Sequence, residues 1–170
     1  VYTLARPASD LQARLKAVDR MAPWGGTALY DAVVRSVDQL GGEGGRRVLV
    51  LFTDGEDRDS RVPAEIAERR IESSDVVLYP IGQGRATTVI TLKRVLERLA
   101  EKSGGRAFFA NLEELDGVFS RIIEELSHQY LLGYDRPDTA VDDRWRKIRL
   151  ELPGRDLKVR ARQGYRVRDK

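Results

Sequence analysis

The chain has no cysteine and a single histidine, His128, among its 170 residues. Disulfides, zinc–thiolate centres and thiol nucleophiles are therefore excluded. Neither a zinc hydrolase site nor a Ser-His-Asp triad driven by another histidine can be assembled. His128 reads instead as the junction into the C-terminal tail. No apolar run approaches the roughly 18 residues needed to span a bilayer, so no transmembrane segment is expected. No signal peptide is visible. Carboxylates are plentiful, with 27 Asp and Glu, but no pair stands out as an acid and a base. No enzyme and no small-molecule substrate are expected.

What is present fits a domain with one full core. Hydrophobic residues make up 41% of the chain and charged residues 34%. The net charge of +3 is unevenly spread. Arg144 to Lys170 carries eleven Lys/Arg against three Asp/Glu, which leaves the remainder at about −5. An acidic body with a basic tail suggests two units, residues 1–127 and 128–170.

Ser9 and Gln12 read as a capping box, followed by Leu11, Leu15, Val18 and Met21 on one helical face. Pro23 and Gly25-Gly26 end that helix. A second helix is expected from Thr27, with Leu29, Val33, Val37 and Leu40 as its stripe. The glycine-rich stretch at Gly41 to Gly45 lacks the Gly-Lys-Ser/Thr ending of a P-loop and reads as a flexible loop. Arg47 to Thr53 and Asp75 to Gly82 are continuous apolar runs, the pattern of parallel strands covered on both faces. Helices are expected at Pro63 to Ser73, Thr91 to Ser103 and from Asn111 onward, with a third strand at Arg106 to Ala110. Asn111 and Glu114 form a cap. Alternating strands and helices imply a doubly wound, Rossmann-like, mainly parallel α/β sheet. Beyond His128 the pattern predicts strands at Gln129 to Tyr134, Trp145 to Leu152 and Leu157 to Arg162, with a turn at Pro153 to Asp156. The last two form a hairpin with one apolar and one basic face.

Two segments carry the chemistry. Gly25-Gly26-Thr27-Ala28-Leu29-Tyr30-Asp31-Ala32 puts a hydroxyl near a helix start. Val48-Leu49-Val50-Leu51-Phe52-Thr53-Asp54-Gly55-Glu56-Asp57 puts a carboxylate at a strand end, where open α/β sheets gather ligands. Together they resemble the second and third metal-site loops of von Willebrand factor type A domains. Thr27 matches the family's Thr and Asp54-Gly55 its Asp-Gly. Tyr130-Leu131-Leu132-Gly133-Tyr134, Trp145-Arg146-Lys147-Ile148 and Arg162-Gln163-Gly164-Tyr165 look like a bacterial, acidobacterial-type branch. The resemblance implies a non-enzymatic adhesion module. In the family a Mg²⁺ or Mn²⁺ ion would be held by the serines and aspartate of an Asp-x-Ser-x-Ser loop, by Thr27, and by Asp54 directly or through a water, and a protein partner would supply a carboxylate. Similar bacterial proteins are usually exported, so an envelope or extracellular location goes with it.

The family's first loop, Asp-x-Ser-x-Ser, is absent. Val1-Tyr2-Thr3-Leu4-Ala5 matches a later edge strand, so the chain reads as an N-terminally truncated piece. Metal binding is then expected to be weak or absent. Val1 to Ala5 is expected not to pair as in a full domain, and the apolar sheet edge left open is an aggregation hazard. Each site residue has a plainer role. Thr27 could cap its helix, and Asp54 could cap a turn. Asp31, one helical turn after Thr27, could bond a loop amide, orient a metal-bound water or be a solvated residue. Glu56, Asp57 and Asp59 could hold Ca²⁺, but they lack EF-hand spacing and read rather as a solvated loop. The basic hairpin could track phosphates, with Trp145, Tyr134 and Tyr165 stacking bases. Period-two alternation already explains its charges, so nucleic acid is not the preferred partner. A polyanion binder would be salt-sensitive and ignore EDTA. A structural surface component with a vestigial site would ignore both.

Overall fold

The two continuous apolar runs pair with each other. Arg47–Thr53 (β1) lies parallel to Val76–Gly82 (β2), in register from Arg47↔Val76 to Thr53↔Gly82. Phe108–Phe109 (β3) adds to the other side of β2 through Ile81↔Phe108 and Gly82↔Phe109, giving the order β1-β2-β3. The computed structural model describes residues 10–22, 25–42, 44–130, 132–135, 144–154 and 159–166. Within them the chain is a mixed α/β structure. Its helices are Leu11–Asp19 (α1), Leu29–Gly41 (α2), Ala64–Glu72 (α3), Ile90–Ser103 (α4) and Leu115–Ser127 (α5).

Successive residues of a strand point to opposite faces, and the core divides accordingly. Leu49, Leu51, Val76 and Leu78 pack with α2, α3 and α4 through Val33, Val37, Ala67, Ile71, Leu96 and Leu99. Val48, Val50, Val77, Tyr79 and Ile81 pack with α5 through Val118 and Ile122. Each fully buried side chain of this size contributes about 1.5–3 kcal/mol, so the central strand β2 is the best-anchored element. On β1, by contrast, Phe52 is 46% exposed and tilts against the 37% exposed Phe119 at 5.8 Å. Among the described residues β1 pairs on one side only, with β2.

The third strand is shorter than the Arg106 to Ala110 expected. Lower on β2 the Leu78 amide donates to Ser103 Oγ at 2.9 Å rather than to a strand. Ser103 Oγ also accepts from Gly105 N at 3.2 Å and donates to Ala100 O at 2.7 Å. A β-carbon on Gly105 would collide with the Leu78 carbonyl, so only glycine allows this approach.

Several boundaries differ from the sequence reading. Asp10 caps α1, accepting from Ala13 N at 2.7 Å, and Ser9 lies outside the described residues. α1 buries none of its stripe: Leu11 is 61% and Met21 65% exposed. α2 starts at Leu29 with Ala28 at its N-cap, so Thr27 is not the cap. The Asn111–Glu114 capping box is present, with Asn111 Oδ1 accepting from Glu114 N at 3.2 Å and Glu114 Oε2 from Asn111 N at 3.0 Å. It opens a 3-10 turn, Leu112–Glu114, that leads into α5. Val1 to Ala5 lies outside the described residues.

The tail departs most. Its strands are Trp145–Lys147 (β4) and Gly164–Arg166 (β5), antiparallel with Trp145↔Arg166. Residues 159–162 are not a strand, and no strand forms among the described residues of 129–134. Leu131, Leu157 and Lys158 lie outside the described set. The physical reason is that the 159–162 stretch is spent on the body. Arg160 pairs with Glu125, which Arg106 also reaches at 3.3 Å. Arg162 bonds Asp75 Oδ1 at 2.9 Å, Glu72 O at 2.9 Å and Ser74 O. Those last two carbonyls belong to the end of α3, where a cation also suits the helix dipole. Gly104, left-handed at φ 78°, makes room, since a β-carbon there would sit 3.0 Å from Arg162 N. His128 closes α5 as its C-cap, with Nδ1 2.8 Å from Glu124 O.

Candidate functional site

β1 ends at Thr53, and the loop from Asp54 to Val62 crosses to the start of α2. The turn is built locally. Thr53 Oγ1 accepts from Gly55 N at 3.0 Å, and Asp54 Oδ1 accepts from Glu56 N at 3.1 Å. Gly55 is left-handed at φ 80° and packs under Leu92. Side chains of Asp and Thr commonly bond the backbone two residues on in this way. Glu56 then accepts from Arg58 at 2.8 Å and Arg85 at 2.7 Å, and these two guanidiniums hold its carboxyl below the usual range.

The rest of the loop is stitched to the α2 segment. A helix leaves its first amides without intrahelical acceptors, and α2 has no capping side chain at Ala28. Asp57 and Ser60 supply the acceptors from about thirty residues away. Asp57 Oδ1 accepts from Leu29 N at 2.7 Å and Tyr30 N at 3.3 Å. Ser60 Oγ accepts from Tyr30 N at 3.0 Å and Asp31 N at 3.1 Å, and donates to Asp57 Oδ1. In return, Asp31 Oδ1 accepts from Arg61 N and Val62 N, each at 3.0 Å, and those amides, Val62 first, lower its pKa. Asp59 Oδ2 accepts from Gly26 N at 2.9 Å. The Thr27 carbonyl accepts from Arg58 N at 2.8 Å and Asp59 N at 3.0 Å. Burial, aided by Asp57, raises the pKa of Tyr30.

The structure thus places the residues singled out from the sequence as follows. Thr27 is exposed on the segment before α2, and Thr27, Asp31 and Thr53 share the wall of an open cavity of ≈ 980 Å³ beside β1. Asp54 sits one residue beyond Thr53 and is not in that wall. Asp31 takes the loop-amide role among the alternatives open to it. Asp57 and Asp59, read from the sequence as a solvated loop, instead accept backbone amides of the α2 segment, and Ser60, which the sequence reading passed over, does the same. Their signal was an uncapped helix start at Ala28-Leu29 and an Asp-x-x-Ser stretch able to cap it.

Thr27 and Asp54 offer hard oxygen donors of the kind Mg²⁺ or Mn²⁺ prefers. They fit such an ion in type and fall short in number. Among the described residues no group of three or more His, Cys, Asp or Glu is arranged to hold a metal. The tail arginines Arg160 and Arg162 face carboxylates and carbonyls of the body, and Arg166 lies over Trp145 at 5.9 Å.

No family model matches the chain, and no curated protein matches it. Among solved structures it is similar to an uncharacterized membrane spanning protein from Vibrio fischeri, at 18% identity and a TM-score of 0.34. The match covers 67% of this chain and 65% of that one, so the chain spans about two thirds of that protein's length. The likeness is too slight to bear on fold or function. Among the described residues no helix is long and apolar enough to cross a membrane.

Proposed function

We propose that the chain is a non-enzymatic binding module of the von Willebrand factor type A kind, with a doubly wound, Rossmann-like sheet. It engages a protein partner at the loop end of that sheet. The observation that carries this reading is the meeting of the two segments that share the family's wording. The Thr27 carbonyl is bonded by the amides of Arg58 and Asp59, just past Asp54-Gly55. Packing on both faces of a parallel sheet supports the doubly wound reading.

Binding is divalent-cation-dependent in this proposal, through Mg²⁺ or Mn²⁺ and a carboxylate of the partner. Thr27 supplies one oxygen and Asp54 acts directly or through a water, whereas the serines and aspartate that complete the family's site belong to the Asp-x-Ser-x-Ser loop. The chain by itself therefore holds the ion weakly. An envelope or extracellular setting accompanies the proposal. Paramagnetic broadening of amide resonances by millimolar Mn²⁺ tests it. The expected pattern is broadening confined to Gly26–Ala28 and Asp54–Glu56, and lost in Thr27→Ala and Asp54→Ala. Broadening centred on other carboxylates, or unchanged in both variants, would refute the site.

A further inference from the structure

The loop end carries more carboxylates than a metal reading uses, and each has a visible task. Asp57 Oδ1 receives two amides of α2 and the Ser60 hydroxyl. Asp31 Oδ1 receives two loop amides, and Asp59 Oδ2 receives Gly26 N. The approach at Gly26 is so close that a β-carbon there would collide with the Asp59 carboxylate. A helix N-terminus is where an anion gains most from unpaired amides and the helix dipole. Here the chain's own carboxylate fills that place, through bonds from N–H and O–H donors.

We infer that the Glu56 to Val62 loop is a built-in latch, in which Asp57 and Ser60 occupy the N-terminus of α2 and fix the Thr27 segment without metal. Asp31, Asp57 and Asp59 are positioning residues rather than metal ligands. The latch leaves the α2 N-terminus closed to a partner's acidic group, so such a group must be met elsewhere on this face. That consequence rests on the proposed function; the latch itself does not.

The test replaces the internal anion by an external one. Asp57→Gly is expected to lower Tm by about 5 °C or more. Sodium formate, against sodium chloride at equal ionic strength, is expected to restore Tm in the variant and leave the wild type unmoved. Hydrogen exchange supplies the second readout. In the wild type the amides of Leu29, Tyr30 and Asp31 are expected to be equally protected in EDTA and in Mg²⁺. In Asp57→Gly they exchange at least about tenfold faster, and formate slows them again. Should Asp57→Gly fail to fold, Ser60→Ala serves, speeding Tyr30 and Asp31 more than Leu29. Protection that appears only with Mg²⁺, or formate acting equally on both proteins, would overturn the latch. Failure of Mn²⁺ to reach Thr27 and Asp54 would sink the metal site and leave these outcomes unchanged.

Discussion

Replacing Arg162 by Ala tests whether the basic tail is part of the folded body. Its guanidinium makes three bonds at the end of α3, and its side chain is 30% exposed. The Asp75 carboxylate is 76% exposed, so that ion pair is worth about 0–1 kcal/mol. The two charge-assisted bonds to Glu72 O and Ser74 O are partly sheltered and together contribute about 1–2 kcal/mol. A cation at a helix C-terminus adds about 0.3–1 kcal/mol. Water can reach the vacated carbonyls, so the expected loss is about 2 kcal/mol. For a chain of this size that is roughly 4–8 °C in Tm. Urea denaturation of wild type, Arg162→Ala and Arg162→Lys at low and high salt is the assay. Lysine keeps the charge and loses the planar fork, so it should recover less than half. The loss should persist at high salt, because most of it comes from carbonyl bonds. A change below about 0.5 kcal/mol, or one erased by salt, would refute the clamp and return the tail to an independent unit.

Ser103→Ala removes a buried hydroxyl that joins α4 to β2, and a loss of about 1–3 kcal/mol is expected in chemical denaturation. Asp31 has a folded pKa below its unfolded value of about 3.8. Its contribution is present above that value and lost as pH falls through the folded one. Acid titration should therefore cost wild type more stability than Asp31→Asn, and equal acid curves would contradict the Val62 and Arg61 bonds. β1 pairs on one side only among the described residues, and Phe52→Lys on it is expected to reduce concentration-dependent association in sedimentation velocity, without a loss of secondary structure.

Local and periodic features were legible in the sequence. β1 and β2 followed from continuous apolar runs, and α2 to α5 from their stripes, because burial on two faces or one leaves a pattern within a few residues. The Asn111–Glu114 box was readable for the same reason. What was hidden was long-range. α2 begins at Leu29 rather than Thr27 because its caps, Asp57 and Ser60, lie about thirty residues on. β3 is short because Ser103 takes the Leu78 amide. The alternation of Lys158, Arg160 and Arg162 suggested a strand, whereas Arg160 and Arg162 serve tertiary pairs with Glu125 and the end of α3. Asp57 and Asp59 looked like solvent-facing charge because nothing nearby in sequence shows the amides they accept from.

The most direct test of the proposed binding face is the anomalous scattering of Mn²⁺ in crystals of this chain grown at high Mn²⁺ concentration. A peak at Thr27 and Asp54, with the Asp57–Leu29 and Ser60–Asp31 bonds still in place, is the result expected. Manganese on Asp31, Asp57 or Asp59 instead, with those bonds broken, would contradict both the site and the latch.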